Sequence, residues 1–161
     1  MKNFEPSLFD KLFPKQGYLS HAVRKLNVEE LKEVVARDIE ALLNTRMVFT
    51  EEMLSGFKEC QRSILTYGVS DFSGKSLVSF YDRSFICRSL EQALARHEPR
   101  LKNVNVTLGV GNRITTAVLF FEITAVLDVG SLHEPVAFDA TLKPSTLQYV
   151  VSNKRNSGLV V

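Results

Sequence analysis

The chain has 161 residues, of which 45% are hydrophobic and 24% are charged, and its formal net charge is +2 at pH 7. This composition predicts one folded domain with a sizeable core, and it excludes intrinsic disorder and the dense basic face that nucleic-acid binding requires. The first residues lack the apolar segment of a secretory signal, and the most apolar stretch, residues 117–127, is too short to span a bilayer.

The first part of the chain favours an irregular arm followed by a helix. Residues 1–27 mix apolar side chains with two prolines and a glycine, which predicts a partly ordered arm containing one short helical turn. A helix is predicted from Val28 to about Asn44, because Asn27 and Glu30 have the spacing of a capping box. The apolar residues that recur at helical spacing, and that we expect to be buried, are Val28, Leu31, Val35, Ile39 and Leu42.

Two further helices are predicted before the strands begin. The first starts at Thr50, which is followed by two glutamates, and runs to about Leu65. The second is capped by Asp82 or Ser84 and ends at Pro99, because the proline ring forces the preceding residue out of helical geometry.

From residue 103 the apolar pattern changes to a period of two, which predicts strands. The first strand alternates over residues 104–110 and ends in a turn at Gly111-Asn112. The second, at 115–128, is apolar on both faces, so it is either central in the sheet or keeps one face for a partner. A turn over residues 130–135 leads to a third strand, and a short last strand follows at 147–151.

The order of these elements indicates an α+β fold in which amino-terminal helices pack on a three- to four-stranded antiparallel sheet. We expect an arm over residues 1–27, a single domain over residues 28–151, and a flexible basic tail over residues 152–161. The short last strand is expected to leave an open sheet edge, and such an edge is a template for another chain.

Patterns that would carry catalysis or bind a cofactor or metal do not emerge. The three histidines have neither metal-ligand spacing nor cysteine partners. The two cysteines stand alone and are expected to be reduced, buried thiols. Residues 109–112 resemble the start of a dinucleotide-binding loop, but a strand follows where a helix would be needed to hold phosphate, so a hairpin turn is predicted.

The most unusual local element is His97-Glu98-Pro99-Arg100, where the last helix meets the first strand. One interpretation is ordinary helix termination beside a solvated ion pair. The other is that Pro99 stiffens the link, so that Glu98 and Arg100 project in fixed directions toward a partner. Arginine suits such recognition because it presents a planar fork, and an exposed pair contributes little to stability.

Three stretches carry specific motifs. Residues 34–46 contain Arg-Asp-x-x-x-Leu-Leu-Asn-Thr-Arg, residues 63–74 contain Tyr-Gly-x-x-Asp-Phe-Ser-Gly, and residues 98–101 read Glu-Pro-Arg-Leu. In this order and spacing they resemble the TssE family of type VI secretion baseplate subunits, and the likeness covers about residues 4–151. That family is homologous to a baseplate wedge protein of contractile phage tails and has carried the label "lysozyme-like".

The resemblance implies a cytoplasmic structural subunit without catalysis, in a baseplate docked at the cytoplasmic face of a membrane complex. Glu98, Pro99 and Arg100 match a motif implicated in holding the wedge core made by TssF and TssG, with TssK close by. The sheet region is implied to start sheath assembly by exchanging strands with sheath subunits, TssB and TssC. The resemblance implies no cofactor, and neither nucleic acid nor membrane insertion.

A peptidoglycan-cleaving glycosidase is the alternative function, suggested by the lysozyme-like label. Such an enzyme needs a protonated carboxylic acid beside a second, ionised carboxylate. Arg100, two residues from Glu98, favours the charged form of that carboxylate, which is the wrong direction for a general acid. A nucleic-acid-binding module is disfavoured by the small net charge and by aromatic residues that fall in core periodicities.

Overall fold

Two helices and a four-stranded antiparallel sheet form the described part of the chain, so the predicted α+β fold is confirmed. The structure is a computed structural model that describes residues 4–5, 12, 25–50, 52–72, 74–76, 79–109, 119–143, 146 and 148–154. Helices α1 and α2 span Val28–Leu43 and Phe80–His97. The strands, in the order β1-β2-β3-β4 across the sheet, are Leu101–Leu108, Leu119–Val129, Leu132–Lys143 and Gln148–Asn153.

Helix α1 begins with the predicted capping box. The Asn27 side chain accepts the Glu30 backbone N–H at 2.8 Å, and the Glu30 carboxylate accepts the Asn27 N–H at 3.0 Å. The helix ends at Asn44, as predicted. Of the predicted stripe, Val28 is half-buried and the others lie in the core: Leu31, Val35, Ile39 and Leu42.

Loss of the capping box is expected to weaken the start of α1. Asn27→Ala leaves a helix-terminal N–H without its acceptor, so the free energy of unfolding should fall by about 1 kcal/mol. Urea denaturation measures this, and Asn27→Asp, which keeps an acceptor oxygen, is the matched control. Equal losses for Ala and Asp would show that the cap does not contribute.

The helix predicted from Thr50 to Leu65 is wrong. In its place the chain makes turns and two short 3₁₀ segments, Cys60–Arg62 and Ile64–Thr66. Ser63 is extended, with φ −96° and ψ 178°, which would interrupt any continuous helix. Most large apolar side chains of this stretch are exposed, Ile64 by 84%, so packing of an apolar face does not stabilise a helix here.

Helix α2 ends as predicted and starts earlier than predicted. Ser79 is its N-cap, three residues before Asp82 and five before Ser84, the two expected caps. The Ser79 hydroxyl accepts the Asp82 N–H at 3.4 Å, and the Asp82 carboxylate accepts the N–H of Ser76 at 2.9 Å. Asp82 therefore lies inside the first turn, where its negative charge interacts favourably with the positive end of the helix dipole. At the other end Glu98 leaves helical geometry before Pro99.

Strand β2 lies between β1 and β3, as the central-strand interpretation predicts, and one of its faces is buried in the core at Phe121, Ile123, Ala125 and Leu127. The turn predicted over residues 130–135 is confined to Gly130-Ser131, and Pro135 lies inside β3. Strand β4 pairs only with Phe138–Lys143 of β3. The Pro135 nitrogen lies on the β4 side of β3, since Ala137 bonds to Lys154 on that side, and the missing N–H breaks no ladder bond among the described residues.

Strand β1 is irregular and begins at Leu101, before the residue where the period changes. Its register with β2 shifts between Lys102 and Asn105, and Asn103 has a φ of 52°. Only Leu101 and Val106 of this strand are fully buried. The predicted positions 110, 111–112 and 115–118 lie outside the described residues, as do most of the predicted arm and residues 155–161 of the predicted tail.

Candidate functional site

The Glu98-Pro99-Arg100 element forms a tight link between α2 and β1. The Glu98 N–H donates to the Leu94 carbonyl at 2.9 Å, which closes the last turn of the helix. The Glu98 carbonyl then accepts the Leu101 N–H at 3.1 Å. The Arg100 carbonyl accepts the N–H of Asp128 at 2.7 Å, so β2 fixes the other end of the link.

Glu98 and Arg100 form a two-point ion pair inside this link. Arg100 Nε lies 2.6 Å from Glu98 Oε1, and Arg100 Nη2 lies 2.6 Å from Glu98 Oε2. Only 5% of Glu98 is exposed. This planar fork satisfies both oxygens of a carboxylate that burial would otherwise destabilise.

The same guanidinium connects the link to helix α1. Arg100 Nη2 lies 2.5 Å from Asp38 Oδ2, although Asp38 precedes Arg100 by 62 residues. Hydrogen bonds to Glu98 raise the pKa of Arg100 despite its partial burial, and Asp38 adds to the rise. The guanidinium therefore stays charged and holds α1, the end of α2 and the start of β1 together.

The expectation that Glu98 projects outward is wrong, and so is the interpretation of a solvated ion pair. The Glu98 carboxylate points into the protein toward Arg100, whose own side chain is only 26% exposed. The groups that face solvent are Pro99, which is exposed, and the Asp38 side chain, which is 43% exposed. A partner approaching this site would meet those groups and the open side of the guanidinium.

Thr66 and Tyr67, at the end of the second 3₁₀ segment, contact His97, which precedes Glu98. Burial raises the pKa of Tyr67, and the negative charges of Asp38 and Glu98 add to the rise. His97 Nε2 lies 2.8 Å from the carbonyl oxygen of Thr66. A carbonyl only accepts, so this nitrogen carries the proton. Burial lowers the pKa of His97, which favours the neutral ring in this bond.

Gly68 lets this segment run against the end of α1. Val69 donates its N–H to the Thr45 carbonyl at 2.9 Å and accepts the Met47 N–H at 3.0 Å. Gly68 has a φ of +119° and is in close contact with the same backbone. The three motif stretches, 34–46, 63–74 and 98–101, are therefore brought together in space.

Sequence reasoning identified the link but not its partners. Asp38, Thr66 and Tyr67 lie within the motif stretches that were recognised, yet no local pattern showed that they meet Arg100 or His97. The available signal for such a partner was Asp38 in the Arg-Asp pair of the first stretch. It lies next to the buried residue Ile39, and a charged side chain that faces the protein needs a partner of opposite charge.

The site does not have the chemistry of a glycosidase. Its buried carboxylate is ion-paired on both oxygens, whereas a general acid must hold a proton in apolar surroundings. Among the residues that the structure describes, no group of three His, Cys, Asp or Glu side chains could hold a metal ion. Gly109 donates its N–H to the Phe120 carbonyl at 2.8 Å, which continues the β1–β2 ladder, and the remaining residues of the predicted hairpin turn, 110–112, lie outside the described residues.

The expected open edge at the last strand is also wrong for the described residues. Helix α1 lies along the outer edge of β4, where Asn44 exchanges two hydrogen bonds with Tyr149, and Glu40 accepts the Val151 N–H. At the opposite edge the Glu91 carboxylate of α2 accepts the Val106 N–H of β1 at 2.8 Å. Side chains therefore occupy positions at both edges where another strand would bond.

Comparison of the chain with known protein families supports a structural role in a contractile tail. The profile of the family described as baseplate wedge protein gp25 matches residues 29–131, which include the link, all three motif stretches and the first hairpin. No individual curated protein matches the chain. Neither described helix has the length and apolar composition needed to cross a membrane. The chain belongs to the baseplate wedge protein gp25 family, whose members are structural and not enzymes.

Proposed function

We propose that this chain is the TssE subunit of a type VI secretion baseplate. In this role it binds the wedge core made by TssF and TssG, lies close to TssK, and starts assembly of the sheath built from TssB and TssC. The baseplate would stand at the cytoplasmic face of the membrane complex. Family membership and the three motif stretches in the TssE order support this assignment.

One observation carries the proposal. Stretches 34–46 and 98–101 meet at an ion-pair network that opens to solvent at Pro99 and Asp38, and stretch 63–74 bonds to the end of α1 and to His97 beside it. Stability alone requires neither an exposed proline at a rigid link nor an Asp that is 43% exposed. Such a surface, fixed from beneath by buried charges, is suited to holding a partner in one orientation.

Within the proposed site the residues have different tasks. Glu98 is a positioning residue, because its buried carboxylate orients the Arg100 guanidinium. Pro99 and the exposed sides of Arg100 and Asp38 make the contacts with the wedge core. A desolvated arginine at such a contact commonly contributes about 2 kcal/mol or more to binding.

Replacing the exposed proline tests this surface without disturbing the network. Pro99→Lys should lower the free energy of unfolding by no more than about 1 kcal/mol, since the ring faces solvent. It should reduce co-purification of TssF and TssG about tenfold or more, because a bulky cation then stands in the contact. Thermal unfolding and quantified co-purification are measured on the same preparations.

Thr146→Lys is the matched control for this substitution. Thr146 is exposed and lies in the β3–β4 connection, at the opposite end of the sheet from Leu101 according to the strand register. It should retain the wedge proteins. Full retention by folded Pro99→Lys would show that the link is not the binding surface, and equal loss by both variants would show a nonspecific effect of charge.

A further inference from the structure

Helix α2 presents an unusual set of side chains to solvent. Six positions of this helix are exposed, and none of them carries Asp, Glu or Lys: Phe80, Tyr81, Phe85, Arg88, Gln92 and Ala95. On helix α1 the exposed positions are mostly charged: Glu29, Glu33, Arg37 and Ala41. The α1 face is typical of a solvated surface, whereas aromatic residues and arginine without lysine or glutamate are typical of the centre of a protein interface.

Three aromatic side chains form the first part of the α2 face, which we call the aromatic surface: Phe80, Tyr81 and Phe85. Their exposed fractions are 70%, 84% and 47%. Tyr81 and Phe85 are one helical turn apart, and the rings of Phe80 and Tyr81 meet edge to face with centroids 6.2 Å apart. The three rings therefore form one apolar patch and are not scattered exposed residues.

Neighbouring residues hold one ring of the aromatic surface in place. The Phe72 ring meets the Phe85 ring edge to face, with centroids 6.4 Å apart. Lys75 Nζ lies 4.6 Å from the centroid of the Phe85 ring. Because the Phe85 ring is already restrained, it loses little side-chain freedom when a partner binds.

The charges beside the aromatic surface favour a partner that carries carboxylates. Residues 75–88 contain three cationic side chains and one carboxylate. That carboxylate belongs to Asp82 and lies 3.8 Å from Lys75 Nζ. Arg83 and Arg88 form no ion pair with any residue that the structure describes. Both guanidinium groups can therefore bind carboxylates of a partner.

The spacing of the exposed positions favours a helix as that partner. Tyr81, Phe85 and Arg88 follow one another at intervals of four and three residues, which is the spacing of a face that packs against another helix. Two unpaired cations are too few for a nucleic acid or an anionic lipid surface, which require a denser cationic cluster. A helix with one apolar face and carboxylates beside it fits both the spacing and the charge.

We propose that the aromatic surface, with Arg83 and Arg88 beside it, binds an acidic amphipathic helix of another protein subunit. The rings contact the apolar face of that helix, and the guanidinium groups bind its carboxylates. Helix α2 is 18 residues long, which is about 27 Å, and Pro99 lies beyond its other end. The inference therefore goes beyond the proposed wedge contact at the link and does not depend on it.

Fluorescence anisotropy with the full-length chain and a labelled peptide tests the proposal. The probe is a peptide of about three heptads with leucine at positions a and d and glutamate at positions e and g, and the matched peptide has lysine in place of glutamate. The chain should bind the glutamate peptide about tenfold more tightly than the lysine peptide, or better. Phe80→Ser/Tyr81→Ser should weaken this binding about tenfold or more, and Arg88→Glu should remove the preference for glutamate.

Two further variants make the result specific. Phe57→Ser removes an aromatic side chain that is 64% exposed outside the aromatic surface, and it should leave peptide binding unchanged. Pro99→Lys should also leave it unchanged, even where it abolishes co-purification of TssF and TssG. Equal affinity for the two peptides, or binding of the glutamate peptide that survives Phe80→Ser/Tyr81→Ser, would overturn the proposal. Circular dichroism checks folding, and Tyr81→Ser replaces the double variant if that variant does not fold.

The partner in the cell is identified with photo-reactive benzoylphenylalanine in place of Tyr81, in the full-length chain and in cells that contain its own assembly partners. Mass spectrometry of the cross-linked segment should show a helix of another subunit that is rich in Asp and Glu. A cross-link to a basic segment, or none to protein, would contradict the proposal. Co-sedimentation with phosphatidylglycerol vesicles that is lost in Phe80→Ser/Tyr81→Ser would assign the surface to a membrane instead.

Discussion

Arg100→Ala is expected to lower the free energy of unfolding by about 3 kcal/mol or more at pH 7. The substitution leaves the Glu98 carboxylate, which is 5% exposed, without the guanidinium that satisfies both of its oxygens. It also removes the bond to Asp38 that ties α1 to the link. The small loss anticipated for an exposed ion pair does not apply, because this pair is buried on its acidic side. Urea denaturation measures the loss.

Two comparisons separate the buried charge from other causes. Asp38→Asn should lower stability by no more than about 1 kcal/mol, since that carboxylate is 43% exposed. The double variant Glu98→Leu/Arg100→Leu should be more stable than Arg100→Ala, because no buried charge is left unpaired. A deficit below about 1 kcal/mol at pH 7 would show that water satisfies Glu98.

The same burial changes how the link contributes to assembly. An Arg100→Ala protein that fails to join a baseplate would not by itself identify a contact, since loss of fold gives the same result. The exposed Pro99 separates the two effects, because its substitution changes the surface while Glu98, Arg100 and Asp38 keep their bonds. Stability and co-purification must therefore be measured together for any variant of this site.

Local chemistry explains which parts of the fold could be predicted from the sequence. The Asn27 capping box and the alternation of β2 are set by residues a few positions apart, and both are confirmed. The stretch after Thr50 also has local signals of a helix, but its apolar residues do not pack on the core. Pro135 appeared to be a turn residue because the length of β4, which decides whether its N–H is needed, is not visible locally.

The sequence predicted where the site lies along the chain, but it did not predict how its side chains are arranged. The proline in Glu98-Pro99-Arg100 marked a rigid link, and that link is present. The inward direction of the Glu98 side chain depends on Arg100 being held by Asp38, on a helix that begins 70 residues before the link. The closure of the β4 edge likewise depends on Asn44, which lies 105 residues before Tyr149. Contacts over such separations are decided by the packing of whole elements.

Gly68→Ala is expected to lower the free energy of unfolding by about 3 kcal/mol or more. Gly68 has a φ of +119°, which an L-residue with a side chain rarely adopts. A Cβ atom at this position would also lie 2.5 Å from the Thr45 carbonyl oxygen and 2.9 Å from the Met47 nitrogen. Both neighbours are backbone atoms that are themselves bonded to Val69, so relief of the overlap would break the pairing between the end of α1 and the Tyr67 segment.

A series of three glycine substitutions isolates the cause, with thermal and urea unfolding as the measurements. Gly56→Ala has open space and no unusual φ, so it should be neutral or slightly stabilising. Gly130→Ala has a φ of +60° but no atom within 4 Å of the new Cβ, so it should lose only the conformational cost of about 1 kcal/mol. Gly68→Ala adds the overlap and should lose the most. Equal losses at Gly68 and Gly130 would mean that the Thr45 backbone moves aside freely, and that the segment carrying Tyr67 is not held tightly against α1.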